Sequence, residues 1–195
     1  CHIVTRTTIG TNTRIYTCAV VGGDPQDMKF RGEDTDLFIG NNSRIGEFTT
    51  VNRGTGVGGG KTVIGDNVLI MAYVHVAHDC IIGDNVVLTN STQLAGHVVI
   101  EDHAWVSGAC LFHHFVTVGP MSFVAPASGV RVDIPPYTIA EGVKENTRVR
   151  SLHLEGLRRH NAPTSPVDPP KEPYRLVYPR NLPPLEAVAK VEEKR

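Results

Sequence analysis

Six histidines fall between His75 and His114, namely His75, His78, His97, His103, His113 and His114. Neutral imidazole near pH 7 is the side chain best matched to taking a proton from a hydroxyl, and several imidazoles together are common zinc ligands. Spacing separates the two chemistries. His78 and His114 lie 36 residues apart, with Gly96 midway. If the chain repeats every 18 residues, these three positions stack in a column flanked by Ala77, Ala95 and His113. His97 neighbours that column, and His75 precedes it by one short step. Small residues beside histidines make room for a reactant, and the backbone N–H of Gly96 can face a developing oxyanion. The pattern predicts a site that acylates a hydroxyl. A nucleophile-based triad has less support: Cys80 and Cys110 lack an activating arrangement, and no Gly-x-Ser-x-Gly is present.

The column depends on a regular repeat. From Ile64 an aliphatic or aromatic residue returns every sixth position through Ile70, Val76, Ile82, Leu88, Leu94, Ile100, Val106, Phe112, Val118 and Val124 to Val130. With the whole chain 41% hydrophobic, such a run arises by chance about once in 10⁴ to 10⁵. A period of six is that of a parallel β-helix, in which one residue per hexad points into the bore and three hexads make a triangular coil. Ile3, Ile9, Ile15 and Val21 keep the same beat, as do Ile39, Ile45 and Val51. Glycines follow many beats, at Gly10, Gly22, Gly40, Gly46, Gly65, Gly83 and Gly119, and are expected to turn the corner through their backbone freedom.

Two interruptions mark loops thrown out of the solenoid, at 22–37 and 53–62. The first carries Gln26, Asp27 and Lys29; loops leaving a regular scaffold are where binding residues tend to sit. The second is rich in glycine but does not place its glycines and a Lys-Ser/Thr ending at the spacing of a phosphate-binding loop, and reads as a flexible corner. The expected organisation is a β-helix over 1–140, a short basic helical segment over 141–160, broken near Gly156, and a proline-rich tail over 161–195. The repeat is expected to stop at Asp133-Ile134-Pro135-Pro136. From Lys144 to Arg159 five Lys or Arg face two Glu, a local surplus of +3 suited to a phosphate or an acidic partner.

Composition limits the alternatives. A net charge of −1 supplies no global field for nucleic acid or an anionic membrane. No apolar run of about 18 residues suggests a membrane span and no signal peptide is apparent, so a cytoplasmic protein is expected. Cys1, Cys18, Cys80 and Cys110 are far apart without a Cys-x-x-Cys and read as reduced thiols. Trimeric β-helix proteins similar to γ-class carbonic anhydrases bind zinc through two histidines 36 residues apart and a third five further on. Here position 119 is Gly119, so no metal ligand set is assigned.

Several motifs in fixed order carry a more specific resemblance: Asn67-Val-Leu-Ile-Met71, His75-Val-Ala-His-Asp-Cys80, Leu94-Ala-Gly-His97, His113-His-Phe115, Asp133-Ile-Pro-Pro-Tyr137 and Leu154-Glu-Gly-Leu-Arg-Arg159. Over about 1 to 160 the chain resembles the UDP-N-acetylglucosamine 3-O-acyltransferases that begin lipid A synthesis. The resemblance implies an all-β solenoid, a left-handed parallel β-helix of hexapeptide repeats with a short helical and proline-rich C-terminal extension, assembled as a homotrimer. It implies transfer of a (3-hydroxy)acyl group from acyl carrier protein to the sugar 3-hydroxyl in clefts between subunits. No separate cofactor is implied, because 4'-phosphopantetheine arrives with the carrier.

By the same resemblance His78 is the general base, Asp79 its orienting partner and Gly96 the oxyanion donor. Gln26, Asp27 and Lys29 fall at the sugar nucleotide or acyl group, and His75, His97 and His113 line the cleft, with His114 in the same column. Glu155 and Arg159 fall where the family holds the nucleotide. The related alternatives are a sugar-nucleotide N-acyl or acetyltransferase and a non-catalytic β-helix used for assembly. Departures from the family are also evident. It begins two to three coils earlier, so this chain is expected to be a fragment or a shortened member. His114, Asn52, His153 and His160 stand where it commonly has Gln, His, Asn and Arg, and Pro126 occurs near the position associated with acyl length.

Overall fold

The computed structural model describes residues 1–142 and 147–159. The chain winds as a left-handed parallel β-helix whose every third strand joins the same sheet, giving sheets of seven, six and eight strands. The first sheet runs from His2–Ile3 to Gly129–Val130, the second from Thr7–Ile9 to Thr117–Val118, and the third from Arg14–Ile15 to Arg148–Leu152. Register follows the coil period: Val76 pairs with Leu94, and Leu94 with Phe112. Every beat residue from Ile64 to Val130 is buried, Phe112 being the most exposed at 5%. Branched and long aliphatic side chains thus stack into one continuous core, and each coil covers the apolar bore of its neighbours.

The corners follow one rule. Three residues after the inward beat the backbone enters the left-handed region, and Asn12, Asn42, Asn67, Asn85, Tyr73, Asp79, His97 and Phe115 all have φ between 56° and 64°. Asn is the usual non-glycine occupant of this region, because its short polar side chain bonds locally. The expectation that glycines after the beat supply this freedom needs correction. Gly40, Gly65 and Gly83 do not sit at positive φ; a Cβ on them would lie 2.2, 2.3 and 2.2 Å from the Oδ1 of Asp66, Asp84 and Asp102. Those side chains cap the corner of the preceding coil. The N–H groups of Asn41, Asp66 and Asp84 donate to Asp66, Asp84 and Asp102 at 2.6, 2.7 and 2.8 Å. Glycine is required there by close approach.

The two excursions appear as shifts in strand pairing. Ile9 pairs with Ile39, 30 residues on, because the first loop adds 12 to the coil of 18. Val51 pairs with Val76, 25 residues on, because the second adds 7. The repeat also outlasts the expected stop at Asp133: Ile134 bridges Val118 and Ala140 pairs with Val124, both still buried. This last turn is short by two residues, because Ile134 follows Val130 by four positions instead of six.

Farther along, Arg148–Leu152 is a strand antiparallel to Thr138–Glu141, where the sequence suggested helix. Its alternation of Arg148, Val149 and Arg150 suits a sheet edge, and Arg150 meets Glu141 at 2.8 Å. Among the described residues only Leu154–Arg159 is helical, with Gly156 inside the helix, not at a break. His160 and the proline-rich 161–195 lie outside the described residues. Among the described residues no helix is long and apolar enough to cross a membrane.

Candidate active site

His78 and Asp79 occupy the corner between the first and second sheets. Neighbouring side chains on an extended chain point apart. Here the left-handed turn at Asp79, φ 60°, brings them together, and His78 Nδ1 lies 2.8 Å from Asp79 Oδ2. Both are buried.

The Asp79 carboxylate is held from a second side. Thr55 donates its N–H to Oδ1 at 2.8 Å and its hydroxyl to Oδ2 at 2.7 Å. The N–H of Asp79 donates to Thr62 Oγ1 at 2.8 Å. Gly58 lies so close that a Cβ there would fall 2.2 Å from the carboxylate. The second loop is therefore not a flexible corner; it is folded onto Asp79. With Asp79 accepting from Thr55, the Nδ1–H tautomer of His78 completes the set and leaves the Nε2 lone pair available.

Gly96 lies one coil on, so close that a Cβ there would meet the imidazole at 2.4 Å. The predicted column of His78, Gly96 and His114 is thus formed. Its neighbours Ala95 and His97 donate their N–H groups to Phe112 and His78, whereas among the described residues the N–H of Gly96 has no acceptor. A cavity of about 330 Å³ opens here, lined by His75, His78, Gly96, His114, Leu111 and, from the first loop, Gln26.

His97 packs edge-on to His78 with centroids 5.2 Å apart, and its Nε2 is 3.7 Å from Asp79 Oδ2. Its other face stacks on the exposed Phe115 at 4.4 Å. Burial holds His97 below the ordinary imidazole value, against the upward pull of Asp79. His75 bonds Thr50 Oγ1 at 2.7 Å and is likewise held low, by burial and then by His78. Cys80 follows directly in sequence, but burial pushes its thiol up to about 12 and its Sγ bonds Ala95 O, so it is a packed thiol.

The remaining predicted residues are dispersed. Asp27 acts electrostatically on His97 and accepts the N–H of Lys29 at 2.9 Å, while the Lys29 side chain is exposed. His113 is exposed and does not line the cavity. Glu155 and Arg159 line a second cavity of about 250 Å³, with Trp105, Phe123, Met121 and His153. Those aromatic residues belong to the third sheet, so this cavity opens on another face of the prism. Glu155 accepts from Arg158 and Arg159, which hold its carboxyl down to about 2.

Thr50 and Thr55 were missed. The signal for Thr55 was its insertion at the same corner as Asp79, one coil earlier.

The solenoid is one of hexapeptide repeats, and the bacterial transferase hexapeptide (six repeats) pattern matches residues 61–96. Udp N-acetylglucosamine O-acyltransferase; Domain 2, matches 133–195. The chain belongs to the UDP-N-acetylglucosamine O-acyltransferase family. It is 46% identical over 171 residues to an acyl-carrier-protein–UDP-N-acetylglucosamine O-acyltransferase of Nautilia profundicola, covering 88% of this chain and 65% of the relative. With the enzyme of the same name from Verminephrobacter eiseniae the identity is 44%, covering 91% and 67%. The crystal structure of a UDP-N-acetylglucosamine acyltransferase from Bacteroides fragilis superposes with a TM-score of 0.93 at 38% identity, covering 98% of this chain and 74% of that one. The chain thus spans about two thirds of the length of its curated relatives.

Thr55→Val removes a buried donor to Asp79 and is expected to lower stability by about 1–3 kcal/mol, read from urea unfolding. Thr55→Ser, which keeps the hydroxyl, should restore most of it. His75 gives a pH prediction. Its folded value lies below the ordinary 6.5, so the unfolded chain binds its proton more readily. The neutral ring therefore contributes fully above that ordinary value, and the contribution is lost as pH falls through the folded value. Thermal midpoints should drop between pH 7 and pH 5, and His75→Gln should make the drop shallower.

Proposed function

We propose that this chain transfers an acyl group, of the (3-hydroxy)acyl kind, from acyl carrier protein to the 3-hydroxyl of UDP-N-acetylglucosamine in lipid A synthesis. The observation that carries this reading is the buried His78–Asp79 pair facing Gly96 across the cavity. His78 Nε2 takes the hydroxyl proton as that oxygen attacks the thioester carbonyl. Asp79 fixes the tautomer and stabilises the imidazolium. The unused N–H of Gly96 meets the tetrahedral oxyanion. Collapse expels the phosphopantetheine thiolate, which recovers the proton from His78. Gln26, His75 and His114 position the substrate around the reacting atoms, with Asp27, Lys29, His97 and His113 at its margins.

The names of its relatives support the donor and acceptor, since they specify acyl carrier protein and UDP-N-acetylglucosamine. Glu155 and Arg159 serve the nucleotide only if the second cavity of one copy meets the first cavity of another. A trimer closed by a threefold axis brings different prism faces together in this way.

Acyl transfer from acyl carrier protein to UDP-N-acetylglucosamine, followed by product mass, tests the reading. His78→Ala should lower kcat by about 10²–10⁴-fold, and activity unchanged in that variant would remove His78 from the base role. Light scattering should give a mass three times the 21.2 kDa chain. A monomer with full activity would exclude the shared cleft.

A further inference from the structure

The candidate active site also has the parts of a metal site. His78, Asp79 and His97 each offer a ligand atom, and these atoms all lie within 4.8 Å of one another. We propose that this cluster binds a single Zn²⁺ ion, in competition with the proton that His78 carries toward Asp79. The proposal goes beyond the acyl-transfer reading and concerns a different ligand set from the His78 and His114 pairing set aside on sequence.

Two of the three ligand separations are near those of a tetrahedral centre, and the third, between the two imidazoles, is at most 4.8 Å. Zinc bonds of about 2.0–2.1 Å place neighbouring ligand atoms roughly 3.3 Å apart. His97 Nε2 is 3.7 Å from Asp79 Oδ2 and His78 Nδ1 is 2.8 Å from it, so the two separations bracket that value. Closing one and opening the other requires shifts of about 0.5 Å. Two nitrogens and a carboxylate oxygen suit zinc in preference to magnesium or calcium, which take oxygen ligands. His97 retains some exposure, with 23% of its side chain accessible, leaving a side from which solvent supplies a fourth ligand.

The support a carboxylate ligand needs is already built. Ligating carboxylates are themselves hydrogen-bonded, which fixes the ligand atom. Thr55 does this through its N–H on Oδ1 and its hydroxyl on Oδ2. At His78 the ion takes the Nδ1 lone pair, and the ring proton moves from Nδ1 to Nε2. The ring stays neutral, but the lone pair that would accept the substrate proton is gone. Zinc and base catalysis are therefore mutually exclusive on this residue.

Binding is measured on the full chain without any acyl-transfer assay, so failure of this proposal and failure of the proposed function are separable. Chelator-treated protein is titrated with ZnCl₂ by calorimetry and with Co²⁺ by visible absorption. The expected result is one ion per chain and the intense bands of a four-coordinate cobalt centre. His97→Asn and Asp79→Asn should each weaken binding at least tenfold, while His114→Asn, outside the cluster, leaves the affinity within twofold. Circular dichroism checks folding, with His97→Gln replacing His97→Asn if the latter does not fold. No saturable binding, or an affinity unchanged in the folded His97 variant, would overturn the proposal.

Discussion

The left-handed residue that closes each corner is the constraint on which the rest of the molecule depends. It falls three positions after each inward beat except Val21, Val51 and Val130, and several of its occupants, among them Tyr73, Phe48 and Phe115, are side chains that rarely adopt φ near 60°. For such residues the conformation costs on the order of 1 kcal/mol each, and the coil-to-coil hydrogen bonds and the buried beat residues offset it. At one corner this constraint becomes chemistry. The residue there is Asp79, and the turn folds its carboxylate back onto the preceding His78. A straight strand would send the two side chains to opposite faces. The same turn one and two coils on places His97 and Phe115 over Asp79, so a single backbone rule builds the stack around the candidate base.

Much of this was legible because it is periodic. The sixfold beat gives the bore, and three hexads give the coil that puts Gly96 against His78. Periodicity also held a clue that was not used. Both loops leave after a first-sheet beat, Val21 and Val51, and Val76 before His78 is the next beat on that sheet. Counting along the sheets therefore places both loops at the corner of the candidate base. What Thr55 does there was not legible, since it contacts Asp79 across 24 residues from within an irregular segment. The glycines misled for a related reason: the residue they must avoid is a carboxylate on the next coil, and no local pattern reports it. At Arg148–Leu152 helix propensity gave way to pairing with Thr138–Glu141, a tertiary effect.

The two cavities impose a second constraint. They open on different faces of one prism, yet the resemblance assigns both to one substrate. A triangular solenoid cannot bend to bring its faces together, because its coils are locked by parallel ladders along each sheet. Rigid bodies unite distant faces by packing against copies of themselves. The proposed threefold assembly follows from that rigidity together with the residue assignments.

The short segment Thr50–Thr55 ties these parts to one another. Thr50 bonds His75, and Asn52 Nδ2 donates to Asp24 O at 2.7 Å. Arg53 pairs with Asp24 at 2.6 Å and lies over the ring of Phe30 at 5.7 Å, both in the first loop. Thr55 then holds Asp79. Six consecutive residues thus touch a cavity histidine, the loop that carries Gln26, and the partner of the candidate base. The Arg53 side chain is only 11% exposed but Asp24 is 68% exposed, so solvent screens their attraction and the pair acts mainly through its geometry. The first loop is therefore joined through Arg53 to the backbone only two residues before the hydrogen bonds that orient Asp79. The two excursions act as one clamp on the corner, and the regular coil beneath them supplies the fixed surface against which they close.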